Sequence, residues 1–408
     1  MSAAVRSRHH SLRLLAQAPH RLLFFIGASN LLLAMLWWAA WLLAQRWPVL
    51  AMPQPVLPAG WLHAYVMQYQ VLPSFMFGFL LTVFPRWMGL PELPRWRYAP
   101  IGLGLFGGQL ATLLGALGWE VGIFVGFLMT AAGWIAVLST LAPMLWRERG
   151  ITWHARSCVA ALLLGLAGLL CQGAFLIGAS PFWVFASIKL GSFGLLLPIY
   201  LSIAHRMFPF FAGNVVPGYL PWRPLWLLAA FWTLSIGHLA LELMHAYQWL
   251  WVADLPMLLL TATLCWRWWP RGRKPAVLTV LFVGLAWLPV AFALYSVQSL
   301  GYWLAGVYWL GRAPAHGLFI GFFGSVLIAM VTRVSQGHSG RPLAMPWIAW
   351  FAFAGIQVVA VMRIVAEIVT DALLWQSLAA IGWLLVLSPW VARLGSIYLS
   401  PRIDGKPG

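Results

Sequence analysis

Ten histidines are the side chains of this chain best suited to chemistry, because imidazole is the commonest metal ligand and a frequent axial ligand of haem iron. Two of them, His316 and His338, bracket an apolar run that turns polar at Thr332 and Arg333 and closes on Gly340-Arg341-Pro342. At a rise of ~1.5 Å per residue, His316 to Arg333 covers roughly 25 Å, most of a bilayer core. One imidazole is therefore expected near one membrane surface and the other just beyond the opposite surface. His63 stands at the start of another apolar run. His238, Glu242 and His245 follow i, i+4, i+7, which puts them along one helical face, with Glu242 as a metal ligand or as the group that orients an imidazole. His205 is followed directly by Arg206, and Arg333 and Arg341 flank His338; such cations are what haem propionates need. The competing reading of each residue is a polar side chain gathered at a membrane interface.

The elements that must position these side chains are membrane helices. Of the 408 residues 62% are hydrophobic and 8% charged, and mean hydropathy is +0.85, where a soluble domain carries about 25% charged residues. Apolar runs long enough to span as helices recur, and the short alternating strands of a transmembrane barrel do not. The predicted fold class is all-α, a polytopic membrane protein of about twelve transmembrane helices. The runs lie at 22–45, 62–84, 99–118, 121–142, 157–178, 182–204, 224–241, 249–266, 275–296, 314–332, 345–366 and 373–393. The apolar piece 302–310 is too short to cross and is expected to lie in the interface.

Basic residues test this division. With the N-terminus inside, 21 of the 25 Lys and Arg fall in inner segments; Arg46, Arg312 and Arg363 fall outside, and Lys189 lies within the sixth run. That asymmetry is the positive-inside rule, so both termini are expected in the cytoplasm. The organisation is then a basic tail over 1–21, one transmembrane domain over 22–396 and a short tail over 397–408. The first run is longer than a signal-peptide core and is read as a retained helix. The net charge of +17 is distributed in clusters between apolar runs, never as a basic face with exposed aromatics. That placement argues against nucleic acid and makes the lipid bilayer the partner. No connection is long enough to fold as a domain, so chemistry must occur among the helices or at their ends.

Sorted by side, His63, His316, His238 and His245 collect at outer ends, and His205 and His338 at inner ends. His9, His10 and His20 in the tail and His154 in a loop are expected to be solvated or at the lipid headgroups. Lys189 and Asp254 are the charges set deepest in apolar runs, which points to function. Cys158, Cys171 and Cys265 have neither disulfide spacing nor the Cys-x-x-Cys-His of covalent haem attachment. Gly102-Leu-Gly104-Leu-Phe-Gly107 carries the letters of a dinucleotide fingerprint inside an apolar helix, where close helix packing explains it, as it does Gly104/Gly108 and Gly122/Gly126. Runs two, six and ten each hold Phe-Gly and end in Arg: Phe77-Gly78 to Arg86, Phe193-Gly194 to Arg206, Phe323-Gly324 to Arg333. The spacing would suit three four-helix units, although Phe and Gly are common enough here for chance pairs.

Several stretches resemble the NnrS family. The strongest is His316 through Leu343, especially Met330-Val-Thr-Arg-Val-Ser-Gln-Gly-His-Ser-Gly-Arg-Pro342. Gly78-Phe-Leu-Leu-Thr-Val-Phe-Pro85 with Trp87 and Gly89, preceded by His63, is similar to a second family stretch, and Arg206-Met-Phe-Pro-Phe-Phe211 to a third. The resemblance covers essentially the whole chain. It implies a multi-pass protein of the bacterial cytoplasmic membrane that contains haem and copper and takes part in nitric oxide metabolism or nitrosative-stress resistance, with nitric oxide as a ligand. Where the family usually shows His-x-His-Glu, this chain has His63-Ala-Tyr65-Val66, so one ligand and one carboxylate are missing; Tyr65 is a tyrosine ligand for ferric haem or an interfacial anchor. The usual Pro-Asn-Trp-Thr-Gly is Pro85-Arg86-Trp87-Met88-Gly89 here.

The leading expectation is therefore a membrane protein bearing haem b or copper. His63 and His316 would be the outer ligands, supported by His238, Glu242 and His245, and His205 and His338 would form an inner site beside Arg333 and Arg341. No catalytic motif is evident and no redox partner is named. The alternative is a twelve-helix secondary transporter without a redox metal, opposed by the scarcity of polar groups near the membrane midplane. A terminal oxidase subunit fits less well, because the only adjacent His-His pair is His9-His10 in the tail.

Overall fold

The computed structural model of the protein describes residues 11–47 and 51–405; Arg6, Arg8, His9, His10 and Lys406 lie outside the described residues. Among the described residues all regular structure is helical, and twelve helices are long and apolar enough to cross a membrane. They are α1 (Pro19–Arg46), α2 (Ala59–Met88), α3 (Arg95–Ala116), α4 (Val121–Arg147), α5 (Trp153–Leu176), α6 (Phe182–Gly213), α7 (Trp226–Leu243), α8 (Tyr247–Trp268), α9 (Ala276–Ala305), α10 (Ala313–His338), α11 (Trp347–Val365) and α12 (Ala372–Tyr398). Each coincides with one predicted run, and the chain is an all-α polytopic membrane protein. Several ends extend past the predicted runs, the sixth helix to Gly213 and the tenth to His338 among them, and two bear on the argument. Pro19, whose fixed φ suits a first turn, starts α1 and draws His20 and Arg21 out of the tail. The helix α9 runs on to Ala305 and stops where Gly306 takes φ 68°, so the start of the 302–310 piece is part of a spanning helix.

Three helices are inner. The most apolar windows of α2, α6 and α10 are 83%, 78% and 78% buried within the protein, against 33–61% for the other nine. They are the same three that carry Phe-Gly and a terminal arginine. Each also contains a π-helical segment: Met67–Val71, Leu190–Leu196 and Gly317–Gly324. A π turn inserts one residue into the α-helical ladder and rotates the rest of the helix by about 100°. Polar side chains of these helices meet there, because a donor in hydrocarbon must find its partner inside the protein. Gln68 donates to Ser192 at 3.0 Å, Tyr69 to the Ser187 carbonyl at 2.6 Å, and the Tyr200 ring packs 4.5 Å from Phe323.

The hairpin α3–α4 is held by small residues. A methyl group added at Gly104 would stand 2.7 Å from the Gly133 Cα, and Gly108 faces Gly126 and Thr130 as closely. Gln70 reaches from α2 into that seam and donates to Thr112 and Thr130, both at 3.0 Å. An even number of spans returns both described ends to one face, where Ser11 N–H donates to the Leu399 carbonyl at 3.0 Å and Arg21 to the Ser400 carbonyl at 2.6 Å. This is the basic face of the bundle, and the opposite one is its far face.

Candidate functional site

On the far face the first turns of α2 and α10 come together. The Arg312 guanidinium, just ahead of α10, lies 3.7 Å from where a Cβ on Gly60 would stand. His63, one turn into α2, stacks on Trp38 of α1 with ring centroids 4.4 Å apart and planes 14° from parallel, and Trp38 stacks on Trp41. The Nδ1 of His63 is buried and has no hydrogen-bond partner. His316 points Nδ1 at the Arg312 carbonyl, 2.9 Å away. A carbonyl only accepts, so the proton sits on Nδ1 and Nε2 is left with its lone pair, the arrangement that prepares an imidazole to ligate. The electrostatic neighbours of His316 are Arg363, His63 and Arg312, and Arg363 is neutralised by Glu367 at 2.5 Å. The two outer histidines of the strongest motifs thus share one place.

His238 and His245 do not join them. The helix α7 ends at Leu243, and His245 lies beyond it with φ 56°, its ring turned onto Phe185 and Tyr247. The expected stripe of His238, Glu242 and His245 is therefore cut after its second member, because the helix stops before the third can take the same face. His238 instead points Nδ1 at Asp254 of α8 at 2.6 Å, and its Nε2 lies 3.6 Å from Glu242, whose other oxygen accepts from Lys189 of α6 at 2.6 Å. Phe193 stacks on the imidazole at 3.7 Å and Tyr295 of α9 meets it edge-on at 5.0 Å. His238, Glu242 and Asp254 are at most 1% exposed. Two pairs flagged apart in the sequence, His238 with Glu242 and Lys189 with Asp254, form one cluster that is buried except for the half-buried Lys189.

The basic face holds two more histidine pairs, and neither is the expected His205–His338 site. His205 is hydrogen-bonded through Nδ1 to His154 Nε2 at 2.8 Å, with Ser157 and Ser202 joined one turn further in at 2.6 Å. His338 packs against His20, ring centroids 4.2 Å apart. His20 and His154, expected to be solvated or at the lipid headgroups, are 3% and 7% exposed: each falls at a helix start that packs inward. His20 also has a buried Nδ1 with no hydrogen-bond partner. Arg341 lies in the electrostatic reach of Arg21 beside that pair, whereas Arg333 is packed over the Phe211 ring at 4.0 Å. Tyr65 is no interfacial anchor: it is 3% exposed and its hydroxyl lies near Thr130 and Gln70, inside the bundle. Helix periodicity could have flagged His20 and His154 as members of helices, but not whom they would meet.

The donor set at the far face has the chemistry a haem iron would need, since each of the two imidazoles that would hold it has a nitrogen that no protein group claims. Among the described residues no three His, Cys, Asp or Glu side chains converge to hold a metal ion, so copper here would have two imidazoles and need further ligands from solvent or substrate. Between α1, α2, α6 and α10 lies a cavity of about 60 Å³ lined by Phe24, Phe75, Tyr200, Phe208, Leu327 and Met330 among others. No curated protein compared with the chain matches it. The family model described as NnrS protein matches residues 14–402, nearly the whole length, and the chain belongs to the NnrS family.

Proposed function

We propose that this multi-pass protein of the bacterial cytoplasmic membrane serves nitric oxide metabolism or nitrosative-stress resistance and holds haem b at the His63–His316 pair. The observation that carries the reading is the Nδ1 contact from His316 to the Arg312 carbonyl, which leaves Nε2 free near a second, half-buried imidazole. Arg312, next to the pair, is the cation available to a propionate. Bound there, a haem would supply reversible one-electron chemistry. The apolar cavity between the inner helices suits a small uncharged molecule such as nitric oxide, because nothing in its lining demands a charge. The family resemblance supplies the nitric oxide role and the mention of copper.

The test is a reduced-minus-oxidised spectrum with a copper assay on wild type, His63→Ala and His316→Ala. Wild type should show a Soret band, and either variant should lose most of it while keeping its helical circular dichroism. A preparation with neither a Soret band nor copper would end the proposal. A second reading, a proton-coupled secondary transporter, is favoured by one observation: the Lys189–Glu242–His238–Asp254 cluster places ionisable groups inside the bundle, where the sequence showed few polar groups. A metabolite-uptake defect in a deletion strain, with no nitric oxide phenotype, would select it.

A further inference from the structure

We propose that Lys189, Glu242, His238 and Asp254 form a proton-loading site inside the bundle that exchanges protons with the far face through Tyr308 and Tyr247. The argument is one of charge and burial. Glu242 and Asp254 are 1% and 0% exposed, and among the described residues Lys189 is the one fixed cation bonded to them, through Glu242 at 2.6 Å. Two carboxylates and one ammonium leave a deficit of one positive charge in a low-dielectric interior, where uncompensated charge is costly. His238 is the group placed to make up that charge, with a carboxylate at each ring nitrogen: Asp254 2.6 Å from Nδ1 and Glu242 3.6 Å from Nε2. Protonated, it donates to Asp254 through Nδ1 and faces Glu242 through its second N–H; neutral, it leaves the cluster one negative charge in excess. The cluster therefore has two states that differ by one proton.

The geometry also leaves room for exchange. His238 Nε2, Glu242 Oε2 and Asp254 Oδ2 are buried without a hydrogen-bond partner, so the network is not closed as a purely structural ion pair would be. The groups facing the imidazole are Glu242 on its own helix, Asp254 on α8, Phe193 on α6 and Tyr295 on α9. Tyr308 lies in the electrostatic reach of Glu242 and Asp254, and its ring is 5.9 Å from Tyr247. Tyr308 is 44% exposed, in the turn between α9 and α10 on the far face. A hydronium arriving there gives its proton to the imidazole and remains as water; one N–H bond forms and no other reactant is needed. The site shares no bonded partner with the His63–His316 pair and does not depend on a cofactor there.

Full-length protein in lipid nanodiscs, followed by pH-difference infrared spectroscopy and by an indicator dye after a pH jump, tests this. Wild type should show an imidazole–imidazolium band coupled to a carboxylate shift between about pH 5 and 10. His238→Gln should lose that band and take up about one proton fewer per chain. Tyr308→Phe should keep the amplitude but slow the uptake about tenfold; Tyr308 is surface-exposed, so this variant reports even where His238→Gln does not assemble. A wild type with no such band, or a band that survives His238→Gln, overturns the site. A band that appears only after a chelator is added makes the cluster a metal centre and overturns it equally. An unchanged rate in Tyr308→Phe overturns the route.

Discussion

At the scale of single residues, the outcome depends on which atom of a side chain is already engaged. His316, half-buried, and His238, buried, are both imidazoles on spanning helices, yet one spends Nδ1 on a backbone carbonyl and the other on a carboxylate. The carbonyl leaves Nε2 of His316 with a lone pair that no protein group claims, whereas Nε2 of His238 already faces a second carboxylate, Glu242, at 3.6 Å. Asp371 shows the same logic at an exposed position. It caps α12 by accepting from Leu374 N–H at 3.1 Å and pairs with Arg46 at 2.9 Å, and these bonds hold its carboxyl below the ordinary value of 3.8. A depressed folded-state value contributes stability above pH 3.8 that is lost as pH falls through the lowered value. Melting curves from pH 7 to about pH 3 should therefore show a small acid-side loss that Asp371→Asn lacks, small because the pair is solvated. An identical acid limb in the variant would count against the pairing.

At the scale of elements, the π segments and the glycine seam decide which faces meet. The three inner helices have their widened turns where polar side chains must be presented to one another, as Gln68 is to Ser192. In the α3–α4 hairpin the backbones are in contact, so Gly104→Ala would push a methyl to 2.7 Å from the Gly133 Cα. That overpacking should cost about 1–3 kcal/mol and lower the melting temperature in detergent; an unchanged melting temperature would mean that the hairpin does not pack this way. The existence of these elements was legible in the sequence. Apolar length marked every span, and Gly104/Gly108 and Gly122/Gly126 marked the close approach. The π segments were not legible, because a one-residue insertion barely changes hydropathy and is favoured only by partners on distant helices.

At the scale of the whole molecule, the basic face carries both described ends and most of the arginines. We expect it to be cytoplasmic. A cysteine introduced at Glu92→Cys should then react with an impermeant maleimide only after the membrane is opened, and one at Asp371→Cys in intact spheroplasts; the reverse pattern would invert the protein. What the sequence by itself determined was the bilayer-spanning class, the number of helices and which residues lie near the helix ends, because hydrocarbon selects for length, apolarity and charge placement, all of which are local. What only the tertiary structure decided was partnership: His63 with His316, His338 with His20, His205 with His154, and His238 with Asp254. Those pairs join helices far apart in the chain, and which faces turn toward each other depends on packing the twelve together, which no single segment encodes.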